Sequence, residues 1–335
     1  MPKTTANPAP VHYEVAAANL QAHLFQVTLT IAQPQAQQTV SLPVWIPGSY
    51  LVREFAKNLQ NLQARQGKRL VPLHQGDKHS WVAQCREDAP LVLTYEVCAY
   101  DNSVRTAWLD TARGFFNGTS LCLRVHGQEA ARHSLRITAT PATAAWSVAT
   151  GLAPLKTDKK GFGLYGADHY DELVDCPVEM GDFWQGRFTA CGVAHRFVVA
   201  GAAPSFDGER LLADTQKICE TAIRFWHGKG KAPFGSYLFM LNAVHDGYGG
   251  LEHRNSTALI CGRRDLPRLG DKRQSEGYTT LLGLISHEYF HTWNVKRLRP
   301  AEFAAYDYDQ ENYTQLLWFF EGFTSYYDDL LLRRA

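Results

Sequence analysis

The pentapeptide His-Glu-Tyr-Phe-His at residues 287–291 constrains the fold of this chain most, because its spacing carries chemical meaning only on a helix. Segment 278–294 is rich in helix-forming and apolar residues, and we predict one helix over it. Residues four apart on a helix differ by about 6 Å of rise and about 40° of rotation. His287 and His291 therefore share one face, and the aliphatic residues before them predict a buried helix.

Two imidazoles stacked in this way can bind one metal ion, and a neighbouring carboxylate can reach a water on an open coordination position. This is the H-E-x-x-H arrangement of zinc hydrolases, with Glu288 as general base. The alternative is a helix with two ordinary histidines. We favour the metal because histidines and a carboxylate on a buried helix need polar partners. The sequence thus predicts one Zn²⁺ per chain.

A third protein ligand is expected downstream, since catalytic zinc commonly has three. Glu321 is the strongest candidate, because it lies within the largely apolar run 316–327, and burying a lone carboxylate is expensive unless its charge is neutralised. The alternative is a carboxylate in the first turn of a helix, stabilised by the macrodipole. Four residues beyond Glu321 stands Ser325, so an aspartate of the thermolysin type is absent there, and support for the zinc histidines must come from elsewhere.

The pattern of the chain changes near residue 180, and the fold class we predict is α+β with two domains. Short alternating segments such as 23–31 and 91–97 predict an antiparallel, β-sandwich-like domain over residues 1–180. Residues 181–335 are expected to form the first part of a thermolysin-like domain. In it we predict an amphipathic helix at 207–226, a buried strand at 236–244, an edge strand at 249–261 and the two zinc helices.

Composition gives no sign of a nucleic-acid or membrane partner. The net charge is +1 without a basic block, and no apolar run approaches the roughly 18 residues that span a bilayer. The N-terminus has no hydrophobic signal core, and seven irregularly spaced cysteines favour reduced thiols. We therefore expect a cytoplasmic protein, and no pattern predicts an oligomeric state.

The chain resembles the glycyl aminopeptidase family, the PDZ-domain-containing gluzincin metallopeptidases related to the leukotriene-hydrolase-type aminopeptidases. The zinc segments 287–291 and 321–324 carry the resemblance, together with 45–50, 53–55, 100–105, 115–119, 170–177 and 249–253. It implies a zinc-dependent peptidase in which Glu288 assists the attack of a zinc-bound water. Its expected substrates are peptides with a small N-terminal residue such as Gly. The family also implies a helical subdomain and a PDZ domain, so we expect a C-terminally truncated chain.

The segment Gly249-Gly250-Leu251-Glu252-His253 resembles the exopeptidase motif of the related aminopeptidases. The resemblance implies that Glu252 binds the free α-amino group of the substrate, while Gly249 and Gly250 let its backbone approach closely. The alternative is a surface glutamate paired with Arg254. By analogy, loops of the β domain border the cleft through Tyr50, Arg53, Phe116 and Asn117, although a purely structural turn is the alternative for the first of these loops.

Two further functions stay open at this point. An endopeptidase or oligopeptidase could use the same zinc site without an amine anchor at Glu252. The chain could instead be a non-catalytic fragment or binding module, because the tyrosine that stabilises the oxyanion in related enzymes is expected beyond Ala335.

Overall fold

The computed structural model describes residues 9–335 and divides into two compact units. Among these residues, the first unit comprises 9–148, Leu152–Gly181 and Asp307–Glu311. The second comprises Ala149–Gly151, Asp182–Tyr306 and Asn312–Ala335. The main division of the chain therefore falls between Gly181 and Asp182.

Residues 9–181 form mostly short strands. The strands are β1 (Val11–Asn19), β2 (Leu24–Ile31), β3 (Gln37–Ser41), β4 (Leu59–Gln66), β5 (Arg69–Val71), β6 (Leu73–Gln75), β7 (Ser80–Gln84), β8 (Leu91–Cys98), β9 (Ala107–Leu109), β10 (Arg113–Phe116), β11 (Arg124–Val125), β12 (His133–Thr138), β13 (Ser147–Thr150), β14 (Ala153–Thr157), β15 (Gly163–Ala167) and β16 (Val178–Gly181). Two short helices accompany them, α1 (Gly118–Leu121) and α2 (Tyr170–Val174).

These strands build three sheets, in the orders β14-β15-β12-β1-β2-β8-β4-β5, β13-β16-β10-β9 and β11-β3-β7-β6. The long strands alternate buried and half-buried residues, as in β8, which is the pattern of a sheet with one face in the core. The prediction of an antiparallel, β-sandwich-like N-terminal domain is confirmed in its coarser part, since this region is mostly β and has several sheets. It is wrong in one respect, because β1 and β12 pair in parallel within the otherwise antiparallel eight-stranded sheet.

The second unit combines one sheet with three long helices. Its elements are β17 (Trp184–Ala190), β18 (Val193–Ala200), α3 (Gly208–His227), β19 (Ser236–Val244), β20 (Gly249–Glu252), β21 (Ser256–Gly262), α4 (Glu276–Phe290) and α5 (Leu317–Arg334). The strand order is β17-β18-β19-β21-β20, with β18, β19 and β21 parallel. The predicted helix at 207–226 and the buried strand at 236–244 correspond to α3 and β19.

The predicted edge strand at 249–261 is wrong as a single element. The chain turns after Glu252, and β21 returns antiparallel to β20, with Ile260 opposite Gly249 and Thr257 opposite Glu252. Of these two strands, β20 lies at an edge of the sheet, and β21 lies between β19 and β20. The strand that carries Glu252 is therefore four residues long, and α4 packs against it.

Helix α4 is the central helix of the second unit. Ser275 caps it by accepting a hydrogen bond from the Tyr278 backbone N–H, and buried residues occur on every side of it, as expected for a core helix. The helix ends at Phe290, earlier than the predicted Asn294. His291 keeps helical dihedral angles, and its N–H still bonds to the His287 carbonyl, so the spacing of the two histidines is preserved.

An aromatic cluster packs on the core side of α4. Tyr289 is fully buried, and its hydroxyl lies 2.9 Å from Nε2 of His195, whose Nδ1 donates to the Val193 carbonyl. Burial lowers the pKa of the His195 imidazole to about 4, so the ring is neutral and its Nε2 accepts a hydrogen bond from the Tyr289 hydroxyl. This contact joins α4 to β18 at the residue that follows Glu288 in the chain. No helix in the described part of the chain is long and apolar enough to cross a membrane.

Candidate metal centre

His287 and His291 present the same ring nitrogen to a common point beside α4. Their Nε2 atoms lie 3.1 Å apart, and the two rings are nearly perpendicular. His291 is 1% exposed, whereas the His287 side chain is 21% exposed. His287 is therefore partly accessible to solvent, and His291 is held in the core.

The other nitrogen of each ring has a hydrogen-bond acceptor. His287 Nδ1 lies 2.7 Å from an Asp328 carboxylate oxygen, and His291 Nδ1 lies 2.9 Å from the Asn294 carbonyl. Since both partners accept, both Nδ1 atoms carry the proton and both Nε2 lone pairs face the common point. Two lone pairs this close repel each other unless a cation lies between them.

Glu321 completes a triangle of donors. Its Oε2 is 3.5 Å from the Nε2 atom of each histidine. Glu321 lies beyond the first turn of α5, which contains no acidic residue, so the alternative of a first-turn carboxylate is wrong. Its side chain is 35% exposed, and it approaches the histidines from the accessible side.

The three donor distances fit the geometry of a zinc site. With zinc–nitrogen bonds of 2.0–2.1 Å in a tetrahedron, neighbouring ligand atoms lie about 3.4 Å apart. The observed separations are 3.1, 3.5 and 3.5 Å. Imidazole and carboxylate donors with fixed Nδ1 hydrogen bonds are also the donor set that zinc hydrolases use.

Electrostatics favours a cation at this point. Burial disfavours a charged His287, yet hydrogen bonds to Asp328 and Glu321 and the charge of Glu288 outweigh burial and raise its pKa to about 10. Burial likewise opposes charge on His291, but the carboxylates of Glu252, Glu321 and Glu288 raise its pKa to about 9. Without a metal the site thus takes up protons, and a divalent ion would displace them.

Glu288 stands beside the donors and fits tightly against β20. A Cβ atom at Gly250 would lie 2.0 Å from its Oε1, so only glycine leaves room for the carboxylate. Its Oε2 is buried and has no hydrogen-bond partner in the described residues. Burial, opposed by the charge of His291 and reinforced by that of Glu252, raises the pKa of Glu288 to about 7. The glycine expected to admit a substrate backbone therefore has another role, which is to admit Glu288.

Glu252 lies at the same centre. Its carboxylate, that of Glu288 and a His291 nitrogen lie within 4.8 Å of one another, and all three residues are buried. Glu252 is 4% exposed, and its Oε1 has no hydrogen-bond partner among the described residues. The alternative of a surface glutamate is therefore wrong. A buried carboxylate oxygen without a partner indicates a missing cationic or hydrogen-bonding ligand.

The residues expected at the cleft border lie in the first unit. Phe116 and Asn117 are fully buried, and the Asn117 amide donates to the carbonyls of Val104 and Thr106. A buried pair of this kind builds the interior of its domain, so the expectation is wrong for both residues. Tyr50 and Arg53 are half-buried, and the Arg53 Nε bonds to Ser49. Their role stays a prediction.

Asp328 is the site residue that the sequence analysis missed. It is seven residues beyond Glu321, two helical turns, and this spacing places both carboxylates on one face of α5. The position four residues beyond Glu321 holds Ser325, so the predicted site contained no acidic partner for its histidines. An acidic residue seven positions after Glu321, on the same face of the helix, was the feature of the sequence that could have identified Asp328.

Comparison with known proteins agrees with this arrangement. Residues 12–182 match the family model described as the peptidase M61 N-terminal domain, and residues 280–335 match that of the M61 glycyl aminopeptidase. The solved structure of an aminopeptidase N family protein from Idiomarina loihiensis has a TM-score of 0.93 at 44% identity. The match covers 96% of this chain and 54% of that one, so this chain spans about half of that relative's length.

A second solved structure shows a likeness of fold alone. Legionella pneumophila aminopeptidase A, in complex with aspartic acid, has a TM-score of 0.58 at 10% identity, over 98% of this chain and 38% of that one. No curated protein matches the chain.

Proposed function

The chain belongs to the M61 glycyl aminopeptidase family, and from this premise we propose that it is a zinc-dependent aminopeptidase with a thermolysin-like catalytic domain. The observation that carries the proposal is the triangle of His287 Nε2, His291 Nε2 and Glu321 Oε2, with both Nδ1 atoms held as donors. The site fits zinc, and these three side chains would hold it.

A zinc ion bound there supplies a Lewis acid that polarises the scissile carbonyl and activates a water molecule. Glu288 is placed to remove the proton from the attacking water and to deliver it to the leaving amine. Burial raises the pKa of this carboxylate above its ordinary value, which makes it a stronger base than an exposed glutamate. Gly250 keeps this carboxylate in place.

Glu252 is proposed to bind the α-ammonium group of the substrate. A buried carboxylate oxygen without a partner, within 4.8 Å of Glu288, suits an ammonium ion one residue away from the attacked carbonyl. This distance restricts cleavage to the first peptide bond. The family likeness supports small N-terminal residues such as Gly as the preferred substrates.

Metal analysis tests the zinc site. We expect about one equivalent of zinc in the wild-type protein and a large loss of zinc affinity in Glu321→Ala. Glu311→Ala, which removes an exposed carboxylate outside the site, is the matched control and should retain the metal. Unchanged zinc in Glu321→Ala would show that this residue is not the third ligand.

Paired peptides test the amine anchor. Cleavage of a free peptide should greatly exceed cleavage of its N-acetylated form, and Glu252→Gln should reduce this difference by weakening the binding of the free amine. Equal cleavage of both forms by the wild-type protein would identify an endopeptidase or oligopeptidase instead.

A further inference from the structure

A cavity of about 320 Å³ lies in the second unit where its three parallel strands end. The loops that follow β18, β19 and β21 line it together, through residues of the segments 203–206 and 263–268 and through His245. Open α/β sheets bind their ligands in this position, outside the carboxyl ends of the strands. The volume is at the lower end of the range for small-molecule sites, which is about 300–1,000 Å³. Its size and place are therefore those of a metabolite site.

The two segments that line the cavity are joined to each other through their backbones. The Asp207 N–H donates to the Pro267 carbonyl, and the Leu269 N–H donates to the Ser205 carbonyl, each over 2.9 Å. These bonds form a short antiparallel ladder between the loop after β18 and the loop after β21. The walls of the cavity are therefore held by the fold before any ligand binds.

The charge at the cavity is positive. Arg263, Arg264 and Arg268 line it, and within residues 9–335 no acidic side chain does. Arg263 is held in place because its Nε donates to the Gly201 carbonyl over 2.7 Å, whereas Arg264 and Arg268 form no ion pair in the described part of the chain. The carboxylate of Asp265 lies instead against Gly277, in the first turn of α4. Three guanidinium groups around one concave space attract an anion.

The remaining lining is largely apolar. Leu266 and Pro267 are buried, and the half-buried Phe206 contributes its ring. That ring packs edge-to-face on Trp184, with centroids 5.1 Å apart, which fixes its position. The cavity thus combines a cationic part with an apolar part, and its ligand should carry both an anionic group and an apolar group.

We infer that this cavity binds a small phosphate monoester, with the phosphoryl group on the three arginines and the organic group against Phe206. A phosphate dianion has three terminal oxygens and can accept hydrogen bonds from several guanidinium groups at once. A carboxylate has two oxygens and is matched by a single arginine. The number of arginines therefore favours phosphate. None of the lining residues belongs to the metal centre, so the inference is independent of the proposed peptidase activity.

Titration calorimetry of the whole chain with phenyl phosphate, at physiological salt, tests this inference. We expect phenyl phosphate to bind more tightly than inorganic phosphate and at least about tenfold more tightly than benzoate, and phenol not to bind. Arg264→Ala and Arg268→Ala should each weaken the binding of phenyl phosphate by about tenfold or more, because each removes charge-assisted hydrogen bonds. Arg264→Lys, which keeps the charge and loses the planar fork, should lose less. Arg187→Ala, which removes an exposed arginine outside the cavity, is the matched control.

Phe206→Leu tests the apolar contact separately. It should reduce the advantage of phenyl phosphate over inorganic phosphate and leave the binding of inorganic phosphate unchanged, which also shows that the variant is folded. No measurable binding of phenyl phosphate at about 10 mM would overturn the inference. Binding that persists unchanged when Arg264 and Arg268 are both replaced by Ala would show adventitious binding elsewhere, with the same consequence. Benzoate binding as tight as that of phenyl phosphate would overturn the assignment of a phosphate ligand.

Discussion

The carboxylate of Asp328 accepts a hydrogen bond of 2.7 Å from Nδ1 of His287. The Ser286 hydroxyl donates to the Asp328 carbonyl, so α4 and α5 are joined at two adjacent points. Asp328 and Glu321 lie on the same face of α5 and both meet His287, one at each ring nitrogen. Helix α5 therefore provides one proposed ligand, Glu321, and also sets the tautomer of a second proposed ligand, His287.

The contact between Asp328 and His287 predicts a loss of zinc affinity when the carboxylate is removed. Removing such a partner of a metal-binding histidine typically weakens metal binding by about 10–100-fold. We expect this loss in Asp328→Ala and a smaller one in Asp328→Asn, whose amide oxygen can still accept the hydrogen bond from His287 Nδ1. Chelator competition measures both. Asp329→Ala, at the exposed neighbouring position, should bind zinc like the wild type, and an equal loss there would argue against a specific role for Asp328.

The close approach of Gly250 to Glu288 predicts that Gly250→Ala separates metal binding from catalysis. The added Cβ would occupy the position of the carboxylate and displace it. We expect kcat to fall by about 100-fold or more, because a displaced general base loses most of its contribution, while zinc content is retained. Gly322→Ala is the matched control, since its Cβ would meet no atom within 4 Å. Wild-type turnover in Gly250→Ala would show that Glu288 is not the base in this position.

The proximity of Glu252 to Glu288 predicts a shift of the pH–rate profile. A negative neighbour favours the protonated form of Glu288, and the base works only when deprotonated, so activity should rise with pH through the pKa of Glu288. Glu252→Gln removes that charge and should move this rise to lower pH, measured as kcat against pH. A bound cation lowers the same pKa in both proteins, so the direction of the difference is unaffected. A shift to higher pH would contradict the assignment.

The buried, neutral His195 predicts acid sensitivity of folding. Its folded-state pKa of about 4 lies below the unfolded value of 6.5, so the unfolded state binds a proton between these values and stability falls as pH drops from 6.5 towards 4. At pH 5 this amounts to about 2 kcal/mol. We expect the difference in the free energy of unfolding between pH 7.5 and pH 5, measured with urea, to be about 2 kcal/mol smaller in His195→Phe than in the wild type. The variant should be less stable than the wild type at both pH values. An unchanged difference would mean that His195 is protonated in the folded protein.

Local patterns in the sequence were sufficient for α3, β19 and the histidine-bearing helix α4, and for the ligands now proposed. The spacing of His287 and His291 is fixed by helical geometry, and β19 and α3 follow from their apolar runs. Glu321 was found because a carboxylate in an apolar run needs a cation, an argument that holds wherever the helix packs.

Tertiary structure decided what depends on contacts between elements that are distant in the chain. The partner of His287 comes from a residue 41 positions away, the room for Glu288 comes from a glycine on another strand, and the parallel pairing of β1 with β12 joins residues more than 100 positions apart. A sequence pattern reports periodicity within one element. Which faces of two elements meet is set by the packing of the whole core, and at this site that packing determines the tautomer, the pKa and the available space.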